Sequence, residues 1–292
     1  MRESGAKPDH GGKGALTIGG MKHWTLDDIS WDRFDPAKVD AELLAVVKAA
    51  SLVEANAGAY AVYLCNVFAD DPEFQDAARN WALEEVQHGR ALGRWAELAD
   101  PNFDFAAAFR RFTDGYKLPL EATQSVRGSR AAELIARCVV ETGTSSYYTA
   151  LGDAADEPVL KNICRRIAAD EFRHYKLFYK HMKRYLPRER LNFLARIRVA
   201  LSRMIESEDD ELAYAYHAAN FSGPYDRERC VRAYACRAYA YYRPHHVERA
   251  VSMALKAVGA SGSGRLARVL SAVGYWFMKS HVARLAAADS AR

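Results

Sequence analysis

Apolar residues recur every three or four positions along nearly the whole chain, and no run shows the alternation or β-branched richness of a strand. The pattern predicts an all-α protein. A first long helix is expected from about Lys38 to Phe68, stopped by Asp70-Asp71-Pro72, and a second from there to about Leu98, closed by Asp100-Pro101. A connection comes next with a short amphipathic helix, Phe103 to Phe112, ended by Gly115 and Pro119. The third helix is expected over about Glu121 to Leu151, broken by Gly152-Asp153, and the fourth from about Glu157 to Leu186, before Pro187. Breaks at Ser222-Gly223-Pro224, Arg243-Pro244 and Gly259 to Gly264 divide the remainder into three or four helices that pack on the bundle or make a subunit contact. The organisation read from this is a disordered leader (1–20), with Met21 an alternative start, then a four-helix bundle (21–187) with a long crossover connection, and a C-terminal helical extension (188–292).

The apolar stripes of the four bundle helices carry groups that do not belong in a core. One stripe reads Trp81, Glu85, His88, Leu92, Trp95, and another Cys164, Ile167, Glu171, His174, Phe178. Residues three apart share a helix face, so each Glu-x-x-His unit aims a carboxylate and an imidazole at one point. A lone glutamate precedes each unit: Glu54 by 31 residues and Glu141 by 30. Measured from turns near Asp71 and Ala154, at 1.5 Å per residue, Glu54 and Glu85 lie at ~25 and ~21 Å, and Glu141 and Glu171 at ~20 and ~25 Å. The six groups are thus expected to meet at mid-depth. Ionised carboxylates there cost several kcal/mol each unless a cation or partner compensates. The bland alternative is a buried Glu/His hydrogen-bond network with no metal. Four carboxylates and two imidazoles suit two iron ions, or manganese, better than a structural zinc site. Asp170 and Glu84 are candidates to hold the ring N–H of the opposite histidine, with a surface acid the competing role for Glu84.

Composition narrows the partners. The chain has 292 residues, a net charge of +4 and no apolar run resembling a signal sequence or a membrane span, and we expect a cytoplasmic protein without nucleic-acid partners. Its five cysteines form no Cys-x-x-Cys pair; they read as buried thiols of a reducing compartment, and electrons for a metal site would come from a separate donor. Lys183, Arg184, Arg188, Arg190, Arg196 and Arg198 form either a solvated helical face or a docking surface for an acidic protein.

The repeated helix-turn-helix ligand module resembles that of the ferritin-like di-iron carboxylate superfamily. Within it, Ile167-Ala168-Ala169-Asp170-Glu171-Phe172-Arg173-His174, with Tyr179 and Lys180 beyond, resembles the second metal-binding helix of the soluble acyl-acyl carrier protein desaturases. Trp81-x-x-Glu84-Glu85-x-x-His88-Gly89, with Leu92 and Trp95, is similar to their first, and Thr144 stands after Glu141 as in that family. The likeness covers roughly residues 52–185. It implies an O2-dependent di-iron oxidoreductase, a desaturase or hydroxylase of an acyl or other apolar chain carried on acyl carrier protein, with O2 as co-substrate and a donor such as ferredoxin. It also implies Thr144 beside the oxygen-binding face, against a helix back-bond as its other role. Trp24 or Trp31 would relay electrons or simply pack, and Ala57, Gly58 and Ala61 would leave room for an alkyl chain or allow close helix packing. A homodimer is expected. The alternative activity is a ferroxidase, peroxidase or iron-handling protein using the same ligands, and a metal-stabilised scaffold is the third class.

Overall fold

Acidic and polar side chains start most of the helices by accepting hydrogen bonds from their unpaired first N–H groups. Asp40 does so for α1 (Ala41–Ala55), Asp71 for α3 (Pro72–Ala99), Asp104 for α4 (Phe105–Gly115), Ser129 for α5 (Arg130–Ala154) and Glu157 for α6 (Pro158–Glu189). Between α1 and α3 lies α2 (Ala57–Val67), and the extension adds α7 (Phe193–Ile205), α8 (Asp210–Asn220), α9 (Arg227–Ala240), α10 (Pro244–Val258) and α11 (Arg265–Ser290). The computed structural model describes residues 17–18, 21–206 and 210–290. Among these, the one strand pairing is Thr17–Ile18 against Met21–Lys22, antiparallel. The expected leader otherwise lies outside the described residues.

The hairpin of α1, α2 and α3 packs on the hairpin of α5 and α6, with α4 in the crossover between them. Four boundaries depart from the sequence expectation. The single helix 38–68 is broken at Asn56, whose φ −83°, ψ 0° leaves the helical ladder one residue after Ala55. The third helix begins at Arg130 rather than near Glu121, because Gly128 takes a left-handed φ of 85° and the Ser129 side chain caps the first turn of α5. The fourth passes through Pro187 to Glu189, where the Glu189 carboxylate accepts from the N–H of Arg130 and Ala131 and so caps α5. The proline costs one ladder bond in the final turn of α6, which closes on the Arg190 N–H donated to the Leu186 carbonyl. Among the described residues the extension contains five helices, not three or four: the three expected breaks are present, and a further one separates α7, ending at Ile205, from α8, starting at Asp210.

The extension lies on the bundle: α8 packs against α1, and α7 and α10 against α5. Polar ties reinforce the contact. Tyr60 donates to Glu211 at 2.5 Å, Tyr175 to the Met253 carbonyl at 3.0 Å and Ser146 to the His246 carbonyl at 2.9 Å. Two apolar clusters fill the bundle: one around Leu52, Leu92, Tyr148 and Ile167, the other around Leu64, Trp81, Leu134 and Phe178. Along α1, α3, α5 and α6 the Glu and His residues fall between the two. The cysteines are free thiols, but Cys65 and Cys236 are only half-buried, at helix positions outside the core stripe.

Candidate metal centre

Four helices deliver six side chains to one point: Glu54 from α1, Glu85 and His88 from α3, Glu141 from α5, and Glu171 and His174 from α6. They fall into two donor sets. Atoms of Glu54, Glu85, His88 and Glu171 all lie within 4.8 Å of one another, and so do atoms of Glu85, Glu141, Glu171 and His174. Glu85 and Glu171 belong to both sets, so these two carboxylates lie where the two donor sets meet.

The approach of α1 to α3 that permits this depends on Gly89. A Cβ there would stand 2.5 Å from the Ala55 backbone N and 2.7 Å from the Ser51 carbonyl oxygen. No side chain fits between His88 and the turn of α1 that carries Glu54. All six groups are buried; His88 has no exposed surface, and Glu141 and Glu171 are each 1% exposed.

Each imidazole presents Nδ1 to the carboxylates and Nε2 outward. His88 Nδ1 lies 3.0 Å from Glu85 and 3.3 Å from Glu171, and its Nε2 is 3.0 Å from Asp170. His174 Nδ1 lies 3.0 Å from Glu85 and 3.7 Å from Glu141, with Nε2 3.1 Å from Glu84. A carboxylate only accepts, so Asp170 and Glu84 hold a proton on Nε2; Nδ1 faces the other carboxylates and would become the inward donor atom to a cation that displaces its proton. The acid before each Glu-x-x-His unit therefore serves the histidine of the opposite helix. Arg173 bonds to both acids, and the Trp24 indole N–H donates to Asp170 at 2.7 Å while stacking over His88.

Two further contacts reach the carboxylates. Tyr148 donates to Glu54 at 2.5 Å. The Thr144 hydroxyl bonds to Glu171 and also approaches the carbonyls of Val140 and Glu141 at 3.2 and 3.3 Å, combining a helix back-bond with a contact to the site. From sequence, Tyr148 is only a neighbour of Glu141, and Arg173 has no assigned role. The available signals were a tyrosine two turns beyond a ligand and an arginine three residues after Asp170.

The electrostatics ask for positive charge. Burial, then the Glu85 and Glu171 charges, pushes the Glu54 carboxyl well above its ordinary range, and burial with the same neighbours does so to Glu141. Burial disfavours charge at Glu85 and at both histidines too, but their mutual contacts outweigh it. Glu85 is held well below the usual carboxylate value, and His88 and His174 well above the usual imidazole value. Both Glu141 oxygens, Glu171 Oε1 and His174 Nδ1 have no hydrogen-bond partner of suitable geometry among the described residues. Buried acceptors left without donors are costly unless a cation supplies the missing interaction. The residues fit two hard cations.

A second cluster, Asp153, His245 and His246, has suitable spacing but not suitable chemistry. His246 Nδ1 accepts the Arg243 N–H at 3.0 Å, so Nε2 carries the proton and donates to Asp153 at 3.1 Å. That ring has no lone pair left for a metal.

The Rubrerythrin family model matches residues 134–222. Comparison with curated proteins finds no match. The matched segment holds Glu141, Glu171 and His174, one of the two donor sets apart from Glu85. Neither comparison points to acyl-acyl carrier protein desaturases. The chain is an all-α protein whose matched segment and buried carboxylate/histidine cluster support a relationship to the ferritin-like di-iron superfamily.

Proposed function

We propose that Glu54, Glu85, His88, Glu141, Glu171 and His174 hold two iron ions and that the protein is an O2-dependent oxidoreductase acting on an acyl or other apolar chain. The observation that carries this is the pair of donor sets sharing Glu85 and Glu171, with orphaned acceptors on Glu141 and Glu171. Two bound ferrous ions supply the electrons for reducing O2. The protein's part is to keep the six ligands fixed, through Asp170, Glu84 and Arg173, and to keep water out with the two apolar clusters. Thr144 is part-buried next to exposed Gly143, so the α5 side is the approach for O2 and substrate, and its hydroxyl controls the Glu171 carboxylate there. Trp24, between Arg166 and Asp170, is the route for electrons from an external donor such as ferredoxin.

An acyl chain would arrive on a carrier protein docked at the basic surface of α6 and α7. Arg184 is tied to Asp71 at 3.0 Å, so Lys183, Arg188, Arg190 and Arg198 carry that role. The small residues divide: Ala57 and Ala61 pack into the core, whereas a Cβ on Gly58 would meet open space. Only Gly58 retains room for a substrate.

The Rubrerythrin match favours a second reading, in which reduced metal is spent on hydrogen peroxide or Fe2+ is itself oxidised. One experiment separates them. The protein is loaded anaerobically with Fe2+, then given O2 and a reductant with acyl carrier substrates, and in parallel hydrogen peroxide alone. Loss of two hydrogens or gain of one oxygen in the acyl product, by mass spectrometry, supports the first reading. Rapid peroxide consumption with unaltered acyl chains supports the second, and failure to bind two irons defeats both.

A further inference from the structure

Helix α11 packs the wrong way round for a helix in water. It buries Ala267 and Ser271 against its neighbours. Leu266, Val269, Leu270, Val273, Trp276 and Phe277 face outward instead, with Trp276 66% exposed. At 100° per residue these six fall within an arc of about 120° and extend over roughly 17 Å. Their exposed area is on the order of 500 Å², in the upper part of the range of the largest apolar patches on monomers, which are often functional. Helix α7, which like α11 packs against α10, repeats the inversion: Leu194, Leu201, Met204 and Ile205 point out, Ile205 with 81% of its surface free.

The charges of these helices select the occupant: exposed Arg198 on α7 and exposed Arg265 and Arg284 on α11 flank the stripes, whereas Lys279 turns inward to the Tyr239 and Ala240 carbonyls. Every charged residue of α7 is an arginine: Arg196, Arg198 and Arg203. From Arg265 to Arg284 every charged residue of α11 is basic as well: Arg265, Arg268, Lys279 and Arg284. Pairing α11 with itself about a two-fold axis would set like-charged edges against each other, since α11 carries no acid between Arg265 and Arg284. An apolar stripe with Trp and Phe, edged by Arg, matches instead the interface of a bilayer bearing anionic headgroups. No helix among the described residues is long and apolar enough to cross a membrane, so the contact is with the surface.

We infer that the outward faces of α11 and α7 seat this protein on an anionic phospholipid surface. The inference does not rest on the metal centre or on the reaction proposed for it, but it uses the Arg198 face of α7 that a carrier protein would also occupy, so the two partners would compete there. The test is co-sedimentation of the full chain with vesicles of phosphatidylcholine alone and of phosphatidylcholine containing phosphatidylglycerol. The wild-type protein is expected to pellet with the anionic vesicles and to be released by salt. Two double variants, Trp276→Ser with Phe277→Ser and Leu194→Ser with Ile205→Ser, are expected to lower binding at least roughly tenfold, with the thermal midpoint unchanged because these side chains are exposed. Absence of binding to anionic vesicles overturns the inference, as does full binding by either variant. A wild-type dimer in light scattering that the α11 variant converts to monomer also overturns it, by assigning the stripe to a second copy of the chain.

Discussion

Replacing Gly89 with alanine isolates the link between helix packing and the metal centre. The added methyl would stand 2.5 Å from Ala55 N, 2.7 Å from Ser51 O and 2.8 Å from Ala55 Cα, all backbone atoms of α1. Restoring an ordinary contact requires α1 to retreat by roughly 1 Å. Overpacking of this kind costs about 1–3 kcal/mol; the helix-propensity gain of Gly to Ala returns about 1 kcal/mol. The net loss is about 0–2 kcal/mol, at most on the order of a few degrees in thermal midpoint. The larger effect is local, because the displaced turn carries Glu54, and metal–ligand distances tolerate about 0.2 Å. Gly89→Ala should therefore lose the ion held by Glu54 and His88 while keeping most of that held by Glu141 and His174. Iron per chain, measured by chelator after desalting, should fall from two toward one. Gly93→Ala is the control: its methyl would meet the Phe105 ring at 2.6 Å, so stability should fall while iron content holds. Two irons at unchanged affinity and an unchanged thermal midpoint in Gly89→Ala would refute the reasoning.

Ligand sharing has its own signature: Glu85→Ala or Glu171→Ala should abolish binding of both irons, whereas Glu54→Ala or Glu141→Ala should leave about one, read as metal per chain. Equal stoichiometry across the four variants would contradict bridging. Thr144→Val should preserve iron content but change the rate of O2 consumption after ferrous loading; an unchanged rate would leave Thr144 as packing. Burial opposes ionisation of Asp71, yet the Tyr185 hydroxyl, the Phe74 N–H and Arg184 hold its carboxyl below its ordinary 3.8. Its stabilising contribution is thus fully present above the ordinary value and is lost as pH falls through the lowered one. Asp71→Asn should cost about 2 kcal/mol near neutrality, and the gap to wild type in denaturant melts should close as pH falls through the lowered value; a gap independent of pH would remove the charge from the argument.

Much of this protein is written locally. Asp71-Pro72 and Glu157-Pro158 set helix starts through side-chain oxygens that reach the next N–H groups, so those starts are legible in the chain, whereas the pattern does not pick out the Ser129 cap. A three-residue spacing fixes Glu85 with His88, and Glu171 with His174, on one face whatever surrounds them. Equal distances from the turns also brought the two hairpins' ligands to one depth. The sequence did not show that α1 breaks at Asn56, because Asn56 and Gly58 weaken a helix without ending it and only contact with α3 decides where the ladder gives way. Helix four likewise survives Pro187 because Glu189 has α5 to cap. The closeness allowed by Gly89 and the reach of Tyr148 to Glu54 depend on interaxial distance and rotation, which no local pattern contains. The same holds for α7 and α11, whose amphipathic sequences imply buried apolar faces. Sequence periodicity fixes which residues share a face, but the axial stagger and rotation of neighbouring helices decide what each face meets.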